Sequence, residues 1–220
     1  MAPTKSRKAA TSDIPVGTQF SPNLVDLKAF LASIVTHSGD KAAMQAAVWN
    51  PPVRTTPATG TPTRRRGSLP LEAARQYGLL DETYSATDLS RRLAALEDPN
   101  LSDEFARHIL LRLRGLRVVE AVLEMTRDGL RITGDSLAEY LTNQGVRVTI
   151  HNTAINSMRM WLDRAGVFAE KSWAVDVARL EALIGLSRPE IAALTGLNEE
   201  QQAFLLALCR INPSGEYPAG

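Results

Sequence analysis

A single cysteine, Cys209, stands among 220 residues, so no internal disulfide can form. His37, His108 and His151 are far apart in the chain, which leaves no Cys/His spacing suited to zinc. No bound metal is expected. Apolar runs are short: none approaches the roughly 18 consecutive apolar residues that a membrane helix requires. Residues Met1 to Gly17 are basic and contain Pro, Ser and Thr, without the apolar stretch of a secretory signal. A cytoplasmic protein without a membrane partner is the expectation. Neither the Gly-x-x-x-x-Gly-Lys phosphate loop nor the Gly-x-Gly-x-x-Gly turn occurs, so no nucleotide cofactor is expected.

Catalytic groupings are also missing. A hydrolase or nuclease needs a nucleophile with a base, or carboxylates spaced to hold a metal. Asp163 with Glu170-Lys171 has the residue types of a metal-dependent nuclease, but no residue separates Glu170 from Lys171 and Asp163 falls in a helical stretch. His108 lies among Phe105, Ile109 and Leu110 and reads as a semi-buried helix residue. The expectation is a non-enzyme with no catalytic residues and no cofactor.

The charge that is present is unevenly placed. The whole chain carries a formal net charge of +1, yet Met1 to Arg66 holds nine Lys/Arg against three acids. From Trp173 to the end, three Arg face six acids. A basic front half suits contact with a phosphate backbone, and the acidic end should face away from it. The sharpest basic feature is Arg64-Arg65-Arg66, in a segment from Asn50 to Gly67 with four prolines, which cannot be helical and reads as a long extended loop. Such a run suits phosphates or a minor groove; it equally suits an acidic protein partner or a protease-sensitive surface.

Helical periodicity dominates elsewhere. Ser21-Pro22 has the residue types of a helix start, followed by Leu24, Leu27, Phe30, Leu31, Ile34 and Val35 at helical spacing. Asp40 caps a second helix to about Trp49. A third runs from Ser68 to Tyr77, and Asp81 to Ala86 forms a turn or small hairpin. Thr87 caps a helix over 88–96, Ser102 opens one to about Leu113, and Gly115 separates it from a helix over 116–125. Leu130 to Thr133 reads as a short strand, 135–143 as a helix, and Thr149 to Ala165 as another. A hairpin through Gly166-Val167-Phe168 and Trp173-Ala174-Val175 follows, then helices over 176–184, 187–194 and 198–210. Gln76-Tyr77-Gly78-Leu79-Leu80 and Arg164-Ala165-Gly166-Val167-Phe168 are alike, each a helix stopped by Gly before apolar residues enter a strand.

The helix from Thr149 carries Ile150, Ala154, Met158, Leu162 and Ala165 on one stripe. Its other face holds Asn152, Thr153, Asn156, Ser157, Arg159 and Arg164. Asn can bond an adenine edge through both amide groups and Arg a guanine edge through two donors, so this face suits a major groove. It also suits plain solvation, and Asp163 beside it repels phosphate.

The pattern Gly134-Asp135-Ser136-Leu137-Ala138, Leu141, Gly145, Asn152, Met158, Trp161-Leu162 and Gly166-Val167 resembles prokaryotic winged-helix modules of restriction and phage-defence proteins, as do Leu71 to Leu80 and Thr87-Asp88-Leu89. The resemblance implies double-stranded DNA binding by the helix over 151–164, with the wing near Glu170 to Ser172 touching the backbone. The expected fold is mainly α: tandem winged-helix (helix-turn-helix) units with small β-wings and a C-terminal helical extension. Its expected parts are a disordered basic arm over 1–20, a first unit over 21–98 with the basic loop 50–67, a helical connection and second unit over 99–175, C-terminal helices over 176–210, and a tail over 211–220. The expected DNA contacts are Arg64, Arg65, Arg66, Asn152, Thr153, Asn156, Arg159 and Lys171. The expected role is a recognition subunit or regulator in bacterial antiviral defence. The competing expectation is an adaptor that docks a protein partner or a second copy through its apolar C-terminal helices.

Overall fold

The computed structural model describes residues 12–17, 19–48, 54–55, 62–63, 69–149, 151–169, 172–187 and 190. Among these, the protein is mainly helical: α1 Leu27–Thr36, α2 Lys41–Val48, α3 Leu69–Gln76, α4 Asp88–Ala94, α5 Asn100–Arg112, α6 Gly115–Arg127, α7 Gly134–Asn143, α8 His151–Arg164 and α9 Val177–Ile184. One antiparallel pair, β1 Arg54–Thr55 with β2 Pro62–Thr63, lies between α2 and α3. Two further chain reversals close on single antiparallel bridges, Leu80 with Ala86 and Phe168 with Val175. The stretch from Leu130 to Thr133, expected as a strand, forms none.

Four of the helices start where a side chain satisfies a free N–H group. Thr87 accepts from Ser90 N, and Thr133 with Ser136 forms a reciprocal capping box. Asp40 Oδ1 accepts from Ala43 N at 2.9 Å. Ser21 does not begin α1; it accepts from Leu24 N and Val25 N in a tight turn, and Asp26 caps the helix through Ala29 N at 3.1 Å. Leu24 thereby drops out of the core stripe and is 44% exposed. Lys28 then joins α1 to the end of α4, donating to the Ala94 and Leu96 carbonyls at 2.9 and 2.6 Å, where cations complement the helix dipole.

The chain divides into two compact units, Met1–Asp176 and Val177–Gly220. In the first, α1 packs on α2 and α4, α5 on α4, α6 and α8, and α7 on α6 and α8. An aromatic cluster forms its centre: Phe20 lies with its ring centroid 5.2 Å from each of Phe30, Tyr77 and Trp161, and Phe105 is 5.2 Å from Trp161. Edge-on and tilted aromatic contacts of this kind add to the burial of large apolar surface. Of the second unit, α9 is described, with Leu180 and Leu183 buried. Beyond it, Ser187 N and Oγ both donate to Glu190 Oε2, at 2.7 and 2.6 Å.

The segment over 12–20 differs from the disordered arm expected over 1–20. Its described residues lie across the helices, with Ile14 and Phe20 fully buried. Val16 N donates to Gln76 Oε1 at 2.6 Å, and the Phe20 carbonyl accepts from Trp161 Nε1 at 3.1 Å and from Ser157 Oγ. Two apolar side chains spaced six residues apart in a non-periodic segment are enough to anchor it.

Candidate nucleic-acid interface

The stops after α3 and α8 follow one hydrogen-bond pattern. Gly78 N donates to Arg75 O and Leu79 N to Ala74 O; Gly166 N donates to Asp163 O and Val167 N to Leu162 O. Both glycines have positive φ, 73° and 77°, which a side chain resists. The chain then reverses, and Thr87 N returns to Leu79 O as Asp176 N returns to Val167 O.

Each reversal is also gripped by an arginine from the helix before it. Arg75 Nε donates to the Asp81 carbonyl at 3.2 Å, and its guanidinium lies 5.2 Å from the ring centroid of Tyr84. Arg159 Nη1 donates to the Ser172 carbonyl at 3.2 Å, with its guanidinium 5.1 Å from the ring centroid of Trp173. Cation and aromatic face attract in both places. Trp173 in turn meets Phe168 edge-on at 5.8 Å. Around Tyr84 the grip is denser: Lys41 Nζ sits 3.8 Å from the ring centroid, and Glu72 accepts from Tyr84 OH, Lys41 and Arg75. Burial raises the Glu72 pKa, but these three donors outweigh it and hold the carboxyl below its ordinary value.

The polar face of α8 is therefore largely engaged within the protein. Ser157, expected to face outward, is buried and donates to the Gly17 and Phe20 carbonyls. Arg159 is half-buried on the second reversal, and its Nε and Asp163 Oδ1, one turn apart, are buried without hydrogen-bond partners. Arg164 donates to Asp98 Oδ2 at 2.7 Å. Ser102 and Arg164 together lower the Asp98 pKa against its partial burial. Thr153 and Asn156 are half-buried in the first two turns, and Asn152 belongs to the first turn. Arg64, Arg65, Arg66 and Lys171 lie outside the described residues.

A basic corner not singled out from the sequence stands just before α8. Arg147, in the loop between α7 and α8, has its side chain 63% exposed. Its backbone carbonyl accepts from Asp13 N at 2.8 Å, and its Nη2 donates to Asp13 Oδ1 at 2.9 Å. Arg114 at the start of α6 is exposed and acts on the same carboxylate electrostatically. Arg117, in the first turn of α6, donates to Gln144 Oε1 at 2.8 Å and pairs with Glu120 at 3.3 Å. The corner escaped sequence reading because Asp13, the start of α6 and Arg147 are 30 and more residues apart in the chain.

Among the described residues, no group of three or more His, Cys, Asp or Glu could hold a metal ion, and no helix is long and apolar enough to cross a membrane. No family model, curated protein sequence or solved structure matches the chain.

Proposed function

We propose that this protein binds double-stranded DNA through two winged-helix-like repeats and catalyses no reaction itself. The observation that carries the reading is the repeated unit after α3 and α8: a glycine stop, a short reversal, and a helix-borne arginine bonded to that reversal and stacked on its aromatic residue. A reversal braced against a helix is how a winged helix presents both elements to a duplex. Since Arg159 and Ser157 are engaged internally, binding rests on phosphate contacts more than on base edges. Thr153 and Asn156 lie toward the DNA side of α8, and Arg64, Arg65, Arg66 and Lys171 contribute charge from the two loop regions. The resemblance of its sequence pattern to restriction and phage-defence modules supports a role as a recognition subunit or regulator in bacterial defence.

A second reading, docking of a partner protein, draws on a groove lined by Leu24, Val25, Ala29, Phe30, Ala47 and Val48 together with Asp26 and Ser33, where Leu24 is exposed. Salt separates the two. Phosphate contacts release counterions and weaken steeply with salt, whereas an apolar interface does not. Fluorescence anisotropy with random-sequence duplex DNA should show salt-sensitive binding that weakens in Arg64→Ala/Arg65→Ala/Arg66→Ala. Absence of binding at every salt concentration would overturn the DNA reading and favour the docking role.

A further inference from the structure

The two arginines that grip the reversals stand in different surroundings. On α3, Arg75 Nη1 donates to Glu72 Oε2 at 3.0 Å while its Nε donates to the Asp81 carbonyl at 3.2 Å. An acid of the same helix and the reversal share one guanidinium. On α8, Arg159 Nη1 donates to the Ser172 carbonyl at 3.2 Å, but its Nε is buried without a hydrogen-bond partner. Asp163, one turn further along α8, has a carboxylate oxygen in the same condition: Oδ1 is buried and unpartnered.

Helix geometry sets these two groups on one face. Residues four apart lie one above the other, and every Cα–Cβ bond tilts toward the helix N-terminus, so the Asp163 side chain leaves the backbone in the direction of Arg159. Arginine and aspartate at this spacing pair on helix surfaces. A buried donor and a buried acceptor that both lack partners each bear a desolvation penalty, and one bond between them removes both. The Ser172 carbonyl is a neutral acceptor, whereas the Asp163 carboxylate is charged and accepts more strongly. In the first reversal the acid precedes its arginine by three residues, and the fork reaches both acceptors at once. In the second the acid follows its arginine by four residues, and the bond to Ser172 leaves Oδ1 unsatisfied.

We propose that Asp163 is an alternative acceptor for Arg159, so that the guanidinium either braces the second reversal through Ser172 and Trp173 or swings onto Asp163 and gives up that brace. The first reversal has no such competition, because Glu72 and Asp81 are served together. The device belongs to α8 and its reversal and stands independently of the DNA-binding reading.

The test is hydrogen exchange read by NMR in the intact chain and in Asp163→Asn, which keeps the shape of the side chain but accepts more weakly. Two protons report opposite sides of the competition. Ala169 N donates to the Ala174 carbonyl at 2.9 Å within the reversal. Without the competing carboxylate it should exchange about twofold more slowly, the factor that an ion pair four residues apart contributes on a helix. The Arg159 Nε–H, deprived of its second acceptor, should exchange faster. Both protons unchanged, or both faster, would overturn the proposal. Arg159→Ala supplies the control, because removing a carboxylate from the last turn of a helix also relieves its repulsion with the helix dipole. If Asp163→Asn slows Ala169 equally in the Arg159→Ala background, the dipole explains the effect and the alternative-acceptor role falls; if the slowing disappears there, the competition is established.

Discussion

Asp13 and Arg147 hold each other through backbone and side chain: Arg147 N donates to Asp13 Oδ2 at 2.9 Å, and Arg147 Nη2 donates to Oδ1 at 2.9 Å. The pair fastens the 12–20 segment to the loop that leads into α8.

Acid should loosen this fastening. Partial burial raises the Asp13 pKa, but the Arg147 hydrogen bonds and the charges of Arg147 and Arg114 outweigh it, leaving the carboxyl below its ordinary value of 3.8. A depressed folded pKa means that the unfolded chain takes up the proton first. The resulting stabilisation is complete above the unfolded pKa and disappears as pH falls through the folded one. Asp13→Asn should therefore be less stable than the native chain at pH 7, and the difference should shrink as pH falls below the ordinary aspartate value. Urea unfolding across pH 2–7 measures this, and a difference independent of pH would refute it.

His108 sets a second window, at milder pH. Its Nε2 lies 2.9 Å from the Tyr77 carbonyl and donates to it. Burial lowers its pKa from 6.5; the Tyr77 carbonyl opposes that, and the charges of Arg112 and Arg92 add to the lowering. The folded protein thus resists protonation that the unfolded chain accepts, so stability falls as pH drops below about 6.5. His108→Gln keeps a donor for Tyr77 without titrating. Its stability should be flatter than that of the native chain between pH 7 and 5, as measured by urea midpoints at fixed temperature; parallel curves would count against the assignment.

Gly17 and Ser157 leave no room between them. A Cβ on Gly17 would lie 1.9 Å from Ser157 Oγ and 2.4 Å from its Cβ. Both neighbours are fixed, Gly17 by its place in the anchored segment and Ser157 by its bonds to the Gly17 and Phe20 carbonyls. Gly17→Ala should cost about 1–3 kcal/mol, the usual range for overpacking a tight core. Ser157→Gly removes the clashing atoms, so the same alanine should cost less in that background. A double-mutant cycle measured by urea unfolding tests this coupling, and additivity within about 0.5 kcal/mol would remove the steric explanation.

Much of the helical framework is legible in the sequence because it depends on local chemistry. Asp40 and Thr87 cap the helices that follow them, and Gly78 and Gly166 stop α3 and α8 in the left-handed conformation that glycine permits. The start of α1 is misread because two caps compete, and Asp26 wins over Ser21 once Leu24 turns outward. The 12–20 segment is misread because Ile14 and Phe20 show no period; the burial of Phe20 depends on a pocket built by Tyr77, Phe105 and Trp161 from distant parts of the chain. Periodicity places Ser157 and Arg159 on the polar side of α8. It does not disclose that the N-terminal segment and the second reversal lie against that side.

Arg159 gives the sharpest separation between reading bases and bracing the reversal. Its Nη1 bond to the Ser172 carbonyl and its place over Trp173 make it a positioning residue for the stretch that leads to Val175. Arg159→Ala removes both contacts, so the Ala169 to Ala174 hydrogen bond should exchange faster with solvent. Arg159→Lys keeps the charge but loses the planar fork, and should restore only part of the protection. For DNA, a bracing role predicts uniform weakening across sequences, because the reversal is displaced whatever bases lie beneath it. A base-reading role predicts loss of preference at one position, with about 1–3 kcal/mol of discrimination removed there. Binding to a randomised duplex library, sequenced after selection with native and Arg159→Ala proteins, distinguishes them. An unchanged preference profile with lower overall recovery supports the brace, whereas a profile that flattens at a single base pair would show that Arg159 leaves Ser172 and reads the groove.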